Sequence, residues 1–208
     1  MIGKHRNEQG FSLLETLIVV GIMFILAGIT LIKSFGTMEN YRANSAMDTV
    51  ISQMRVARNL AITQRRSVQI TFNIASTPQT VNYQVMARPG VIGDANGPLV
   101  RMPLPPQTRF VMEAGVPDTP MAFGNCSGVS AVCINNTSCC VPYMVFTATG
   151  QFAGDDLGTN IYNGTIFLGI PAQAATARAV TVMGGTGRVR PYTFIGPVGG
   201  SSSQVWIE

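Results

Sequence analysis

The chain has 208 residues, a formal net charge of +4 and only 12% charged residues, with 46% of its residues hydrophobic. This length allows one sizeable domain plus an additional segment, and so modest a charge excess does not by itself indicate a nucleic-acid-binding protein. The only histidine is His5, which excludes histidine-based catalytic triads, His–Cys dyads and histidine-liganded metal sites from the rest of the chain. We therefore expect no enzymatic activity, no cofactor and no metal.

An apolar run near the N-terminus dominates the sequence. Residues 11–32 contain 22 positions and one charge, Glu15, before Lys33 ends the run. About 20 apolar residues at a rise of ~1.5 Å each span a ~30 Å hydrocarbon core, so the run predicts a transmembrane helix. A carboxylate inside such a helix costs roughly 2.5–3.5 kcal/mol on insertion scales. Glu15 therefore needs a cationic partner, which the run itself does not supply.

Two ordinary alternatives account for this run less well. A secretory signal has a basic start, a short apolar core and a small-residue cleavage site. Residues 1–27 fit that description loosely, but the apolar run is too long and Glu15 interrupts its start. A plain single-pass anchor accounts for the length of the run and leaves Glu15 unexplained.

A short basic leader followed by Gly10-Phe-Ser-Leu-Leu-Glu-Thr-Leu-Ile-Val-Val resembles the class III signal of type IV pilins and type II secretion pseudopilins. The resemblance implies that residues 1–10 are a prepilin leader, and that a prepilin peptidase cleaves after Gly10 and methylates Phe11. It also implies that Glu15 is the assembly carboxylate and pairs with the Phe11 amine of a neighbouring subunit. Such opposite charges attract strongly at low dielectric. Losing the leader removes two cations and one anion, which lowers the net charge from +4 to +3.

The pattern of residues 33–66 predicts that they form the amphipathic half of the same helix. No proline occurs before Pro78, and apolar residues recur at three- and four-residue spacing at Ala43, Met47, Val50, Ile51, Met54, Ala57, Leu60 and Ala61. A helix from Phe11 to about Gln64 would be ~80 Å long. The resemblance implies an α+β, pilin-like fold, in which this helical spine has a transmembrane half and an amphipathic half packed on an antiparallel β-sheet domain. The apolar half lacks the proline found in many major pilins, which favours a minor pilin or pseudopilin.

From residue 67 onwards the hydrophobic period changes to two, which predicts a β-rich domain over residues 67–208. Prolines at positions 103, 105 and 106 suit sheet edges because they lack a backbone donor. Loops are predicted at residues 90–98 and 196–203. The predicted strands are Ser67–Ile74, Thr80–Ala87, Leu99–Leu104, Thr108–Ala114, Tyr143–Ala148, Gly164–Ile170, Ala177–Met183, Gly187–Phe194 and an edge strand at Gln204–Ile207.

The long segment 115–142 is predicted to be irregular and contains Cys126, Cys133, Cys139 and Cys140. An even number of cysteines in an exported domain predicts two disulfides, for which three pairings exist. A direct bond between the adjacent cysteines would strain the backbone, which favours Cys126 and Cys133 each bonding one member of that pair. The alternative is a four-thiolate zinc site, although the C-x-x-C spacing usual for zinc is missing. Whether this loop binds a ligand or contacts a subunit stays open.

Asp155 and Asp156 are the remaining metal candidates outside the cysteine segment. Calcium needs roughly six to eight oxygen ligands, which two adjacent carboxylates rarely complete. A solvated turn is therefore the expected structure at these two positions.

Further segments resemble the GspH/FimT-type minor pseudopilins, whereas segment 115–142 does not. The matching segments are Met54–Arg66, Val68–Ile70, Val145–Gly150, Gly164–Leu168, Ala179–Val182 and Gly187–Arg190. The resemblance implies a structural subunit of a type IV pilus or a type II secretion pseudopilus. Such a subunit crosses the inner membrane once, keeps its C-terminal domain in the periplasm, and later joins a filament. Its implied partners are other pilin or pseudopilin subunits, the prepilin peptidase and the inner membrane.

An alternative function is DNA binding in natural transformation, because Gly187-Arg-Val-Arg190 resembles the G-R-x-R motif of transformation-linked members. Residues two apart in a strand share a face, so Arg188 and Arg190 would present neighbouring guanidiniums to the phosphates of double-stranded DNA. Arg178 is a further candidate for this set. The competing interpretation is that these arginines meet solvent or nearby aspartates. An enzyme on a membrane stalk is disfavoured by the absence of histidine and of paired catalytic carboxylates.

Overall fold

In the computed structural model, the described residues are 12–86, 97–120, 123, 130–134, 143–153, 160–197 and 205–208, and the side chains of residues 30–37 lie outside the description. The chain divides into two compact units, Met1–Met38 and Glu39–Glu208. Several predictions fall outside the described residues, namely the leader 1–10 with Gly10, Phe11, Cys126, Cys139, Cys140, Asp155, Asp156 and most of the loops at 90–98 and 196–203.

Helix α1 covers Leu13–Gln64, and its first part belongs to the first unit. The Ser12 carbonyl accepts hydrogen bonds from the backbone N–H groups of Glu15 (3.0 Å) and Thr16 (3.1 Å), which starts the helix. The large apolar side chains of residues 13–29 are all exposed, from 46% at Val19 to 81% at Leu13. A helix that is apolar on every side is normally covered by a membrane or by protein. Over the described residues, no helix combines the length and the apolarity that crossing a membrane requires.

The second unit contains the amphipathic part of α1. Of the predicted stripe, Ala43, Met47, Val50, Ile51, Met54, Ala57 and Ala61 are buried, and Leu60 packs against them while partly buried. The predicted amphipathic helix is therefore confirmed. The helix ends in a Schellman arrangement, in which the Arg66 N–H donates to the Ala61 carbonyl (3.1 Å) and Arg65 adopts a φ of 51°.

Within the described residues, ten strands form two five-stranded antiparallel sheets. Their bounds are β1 Val68–Asn73, β2 Thr80–Val85, β3 Val100–Pro103, β4 Val132–Ile134, β5 Tyr143–Phe146, β6 Phe152–Ala153, β7 Gly164–Leu168, β8 Arg178–Met183, β9 Arg188–Phe194 and β10 Trp206–Ile207. The first sheet has the order β3-β2-β1-β5-β6 and the second the order β10-β9-β8-β7-β4. A short 3-10 helix, Ala174–Thr176, precedes β8. The α+β prediction is confirmed, and Pro103 lies on an edge strand as expected.

Two strand predictions are wrong. Residues 108–114 were expected to form a strand but make only an isolated bridge, Arg109 with Gly169. The Phe110 N–H donates instead to the Gln79 side chain (2.6 Å), and the Thr108 hydroxyl donates to the Pro105 carbonyl (2.6 Å). These side-chain hydrogen bonds take the place of the regular backbone hydrogen bonds of a strand. Conversely, the segment 115–142 was expected to be irregular but contributes β4, whose three residues are buried and pair with β7.

The two faces of the second sheet support different hydrophobic clusters. Ile166, Val180 and Val189 belong to the large core that also includes the α1 stripe and the inner face of the first sheet. On the other face a smaller cluster surrounds Trp206, whose indole N–H donates to the Pro117 carbonyl (3.1 Å). Strand β9 therefore alternates between these two environments along its length.

Candidate functional site

Arg188 and Arg190 lie on one face of β9, as the sequence predicts. The residue between them, Val189, is 8% exposed and belongs to the main core. Arg188 is exposed, whereas Arg190 is half-buried and pairs with Glu208 at 3.1 Å between Nη1 and Oε2. The predicted side-by-side arrangement is therefore present, with one of the two guanidiniums already paired to a carboxylate.

Helix α1 contributes two further arginines to the same surface. Arg55, Arg58, Arg188 and Arg190 line a groove of about 650 Å³, which we call the basic groove. Asn59, Met183, Thr186, Gly187, Val189, Pro191 and Glu208 complete its lining. The lining therefore contains four arginine side chains and one acidic side chain, Glu208. Clefts lined by charge of one sign concentrate counter-ions, so the groove can attract anions.

Arg58 has a structural role within this groove. Its Nε donates to the Gly150 carbonyl (3.1 Å) and its Nη2 donates to the Thr186 carbonyl (2.9 Å). Gly150 lies between β5 and β6, and Thr186 lies in the turn between β8 and β9. Arg58 thus connects α1 to both sheets, which fixes its guanidinium in the groove.

Gly187, the glycine of the arginine motif, is required by packing at this junction. It adopts a φ of +62°, and a Cβ built on it would lie 2.1 Å from the Gly150 carbonyl oxygen and 2.8 Å from Arg58 Nε. Only glycine occupies such a conformation at no steric cost. The backbone turn that presents Arg188 thus depends on a residue without a side chain.

Arg178 does not join the basic groove. The residue is 3% exposed, and its guanidinium donates to the side-chain oxygens of Asn44 (2.7 Å) and Asn40 (3.1 Å) and to the Ala177 carbonyl (2.9 Å). Burial lowers the pKa of Arg178 from its ordinary value, although an arginine remains protonated at neutral pH. Its side chain attaches β8 to α1, so the basic groove does not support its inclusion among the DNA-binding residues, which stays a prediction.

Cys133 is the one member of the cysteine cluster that the described residues include. It is fully buried in β4 and disulfide-bonded, with its partner outside the described residues. Its register neighbour is Thr165, which in turn pairs with Thr181. Both threonine hydroxyls are buried and have no hydrogen-bond partner among the residues that the structure describes. The connectivity of the disulfides stays a prediction, and the described part of the chain holds no group of three or more potential metal ligands.

Glu15 occupies the first turn of α1. A carboxylate is favourable at this position because the N-terminus of a helix carries partial positive charge. The side chain is exposed and contacts no cation among the described residues. Its pairing with Phe11 of a neighbouring subunit stays a prediction, because Phe11 lies outside those residues.

The comparison with protein families concerns this same N-terminal segment. The model of the prokaryotic N-terminal methylation motif matches residues 5–31. The match contains Gly10, Phe11 and Glu15, and therefore confirms the kind of signal that the sequence predicts. The remaining residues of the chain lie outside this match.

Two solved structures resemble this chain. Both are of the type IV minor pilin FimU of Pseudomonas aeruginosa strain PAO1, in two crystal forms, with 15% identity. In one crystal form the TM-score is 0.49, with 81% of this chain and 96% of that chain covered. In the other the TM-score is 0.46, with 78% and 95% covered. None of the curated proteins matches the sequence.

Proposed function

We propose that this chain is a minor pilin or pseudopilin, a structural subunit of a type IV pilus or a type II secretion pseudopilus. The observation that carries the proposal is a methylation motif that continues into helix α1, whose residues 13–29 have exposed apolar side chains and one carboxylate, Glu15. An exposed surface of this kind needs a lipid or protein partner. In a filament, the same segments of neighbouring subunits would cover it.

In this proposal the helix has two successive environments. Residues 11–32 lie in the inner membrane with the C-terminal domain in the periplasm, and the prepilin peptidase cleaves after Gly10 and methylates Phe11. The subunit then enters the filament, where Glu15 meets the Phe11 amine of its neighbour. Because opposite charges attract strongly at low dielectric, this pair would set the register between subunits.

The test compares Glu15→Gln with the charge-conserving variant Glu15→Asp in cells that assemble filaments. Cleavage is measured by mass spectrometry of the mature N-terminus, and incorporation by immunoblotting of sheared filaments. We expect both variants to be cleaved after Gly10, Glu15→Gln to be missing from filaments, and Glu15→Asp to be incorporated at least in part. Normal incorporation of Glu15→Gln would disprove the charge-pairing account. Filament protein that still carries residues 1–10 would disprove the processing step.

A second candidate function, binding of double-stranded DNA, is favoured by the basic groove. Arg188 and Arg190 are neighbours on one face of β9, and Arg55 and Arg58 add positive charge from α1. Arginine guanidiniums suit phosphate oxygens because their planar donors bind two oxygens at once. A subunit with this groove could hold DNA through the phosphate backbone while α1 anchors it in a filament.

The full chain in detergent and a fluorescently labelled DNA duplex provide the test of this second function. We expect the Arg188→Gln/Arg190→Gln double variant to bind more weakly, with the slope of log K against log salt concentration reduced by up to about two. Arg101→Gln is the matched control, because Arg101 is an exposed strand arginine of the other sheet. Equal binding by the double variant and the wild type would disprove DNA binding through this motif.

A further inference from the structure

The basic groove contains a cation that the linear motif Gly187–Arg190 does not include. Arg55 lines the groove from α1, is exposed, and makes no hydrogen bond or ion pair with any described residue. The guanidinium of Arg188 has no such partner there either, since only its backbone N–H is hydrogen-bonded. Two guanidiniums on different elements are therefore available to one ligand.

The other two guanidiniums already have partners. Arg58 donates to two backbone carbonyls, so its position is fixed. Arg190 pairs with Glu208 in a contact where the two side chains are 24% and 48% exposed. A carboxylate and a phosphate group present similar oxygens to a guanidinium. Glu208 thus accepts a hydrogen bond from the Arg190 guanidinium, which a phosphate group would otherwise bind.

The lining of the groove favours the backbone of a duplex over unstacked bases. Proteins that hold single strands combine positive charge with aromatic side chains on which the bases stack. Among the described residues that line this groove none is aromatic, and its apolar members are Met183, Val189 and Pro191. Arginines without stacking partners instead suit phosphates, which both strands of a duplex present.

We propose that Arg55 is a third phosphate-binding arginine of the groove, and that Glu208 competes with the phosphates of duplex DNA for Arg190. This inference rests on the DNA-binding function proposed above. It adds a contact from the helix, far from the motif in sequence, and a carboxylate that weakens binding. Neutralising Glu208 should therefore strengthen the binding of duplex DNA, whereas removing a carboxylate outside the groove should leave that binding unchanged.

The contribution of Arg55 is measured with the full chain in detergent, by anisotropy of a labelled duplex over a range of sodium chloride concentrations. We expect Arg55→Gln to weaken binding and to reduce the salt slope by about one, the value for loss of one phosphate contact. Arg101→Gln removes the same charge outside the groove and should leave the slope unchanged.

The contribution of Glu208 is measured in the same assay with a double-mutant cycle. We expect Glu208→Gln to bind about two- to fivefold more tightly, the range for loss of a partly exposed ion pair. The gain should vanish in the Arg190→Gln background, because Glu208 acts through that guanidinium. Asp48→Asn is the control, since Asp48 is an exposed carboxylate of α1 outside the groove lining.

The outcomes separate this inference from the function on which it rests. If the Arg188→Gln/Arg190→Gln variant holds the duplex as well as the wild type, the DNA-binding function is wrong. If that variant fails to bind but Arg55→Gln behaves like Arg101→Gln, the function stands and Arg55 is not a binding residue. A gain from Glu208→Gln that persists in the Arg190→Gln background, or that Asp48→Asn reproduces, would overturn the competition.

Discussion

Replacement of Gly187 by alanine tests whether the arginine motif depends on a glycine for packing. At a φ of +62°, an alanine costs about 1–2 kcal/mol relative to glycine. Its Cβ would lie 2.1 Å from the Gly150 carbonyl oxygen, so the two turns must separate. That separation breaks at least one Arg58 hydrogen bond, and a bond from a charged donor contributes about 1.5–3 kcal/mol. We take the lower value because Arg58 is only partly buried.

The sum is a destabilisation of about 2.5–3.5 kcal/mol, which corresponds to a decrease in Tm of about 5–14 °C for a protein of this size. The assay is thermal unfolding of the full chain in detergent, followed by near-ultraviolet circular dichroism. Gly185→Ala is the matched control, because a Cβ there meets nothing within 4 Å. If Gly187→Ala melts within about 2 °C of Gly185→Ala, the glycine is not required by packing.

Three further predictions concern buried groups of the second unit. Arg178→Met should destabilise the fold by about 2–4 kcal/mol in urea unfolding, because it removes the donors to Asn44 and to a buried carbonyl, whereas Arg101→Met should change little. Burial lowers the pKa of Arg178, so the folded protein releases this proton more readily than the unfolded chain, and the free energy of unfolding would rise with pH only where Arg178 loses its proton. Because an arginine stays protonated near neutral pH, the difference in the free energy of unfolding between the wild type and Arg178→Met should be equal at about pH 5 and about pH 9. Trp206→Phe should cost about 1–3 kcal/mol by leaving the Pro117 carbonyl without its donor, as measured by the urea midpoint. Reduction of the Cys133 disulfide should lower stability by about 2–4 kcal/mol, as measured by unfolding with and without dithiothreitol.

The sequence predicted the burial and the facing of side chains correctly where a periodic pattern lay within a single helix or strand. The α1 stripe could be predicted because residues three and four apart share a helix face, and its positions from Ala43 to Ala61 are buried except for the partly buried Leu60. The position of Arg188 and Arg190 on one face of β9 followed equally from the two-residue period of a strand. Both predictions needed only the local geometry of one element.

Contacts between distant segments could not be predicted in the same way. Arg58 and Thr186 are 128 positions apart, and no local pattern links a helix arginine to a turn so far along the chain. The burial of Arg178 could not be predicted because arginine is rarely buried, and this burial depends on the acceptors that Asn40 and Asn44 place on α1. Strand β4 is only three residues long, too short for a periodic signal, and forms because β7 offers it an edge.

The two hydrogen bonds of Arg58 also determine how the second unit would carry mechanical load. One guanidinium holds the turn at Gly150 in the first sheet and the turn at Thr186 in the second. A pulling force applied along α1 would pass into both sheets simultaneously, through these two hydrogen bonds and through the core that α1 shares with both sheets. The domain should then resist stretching as a single body and rupture abruptly, without one sheet peeling away before the other.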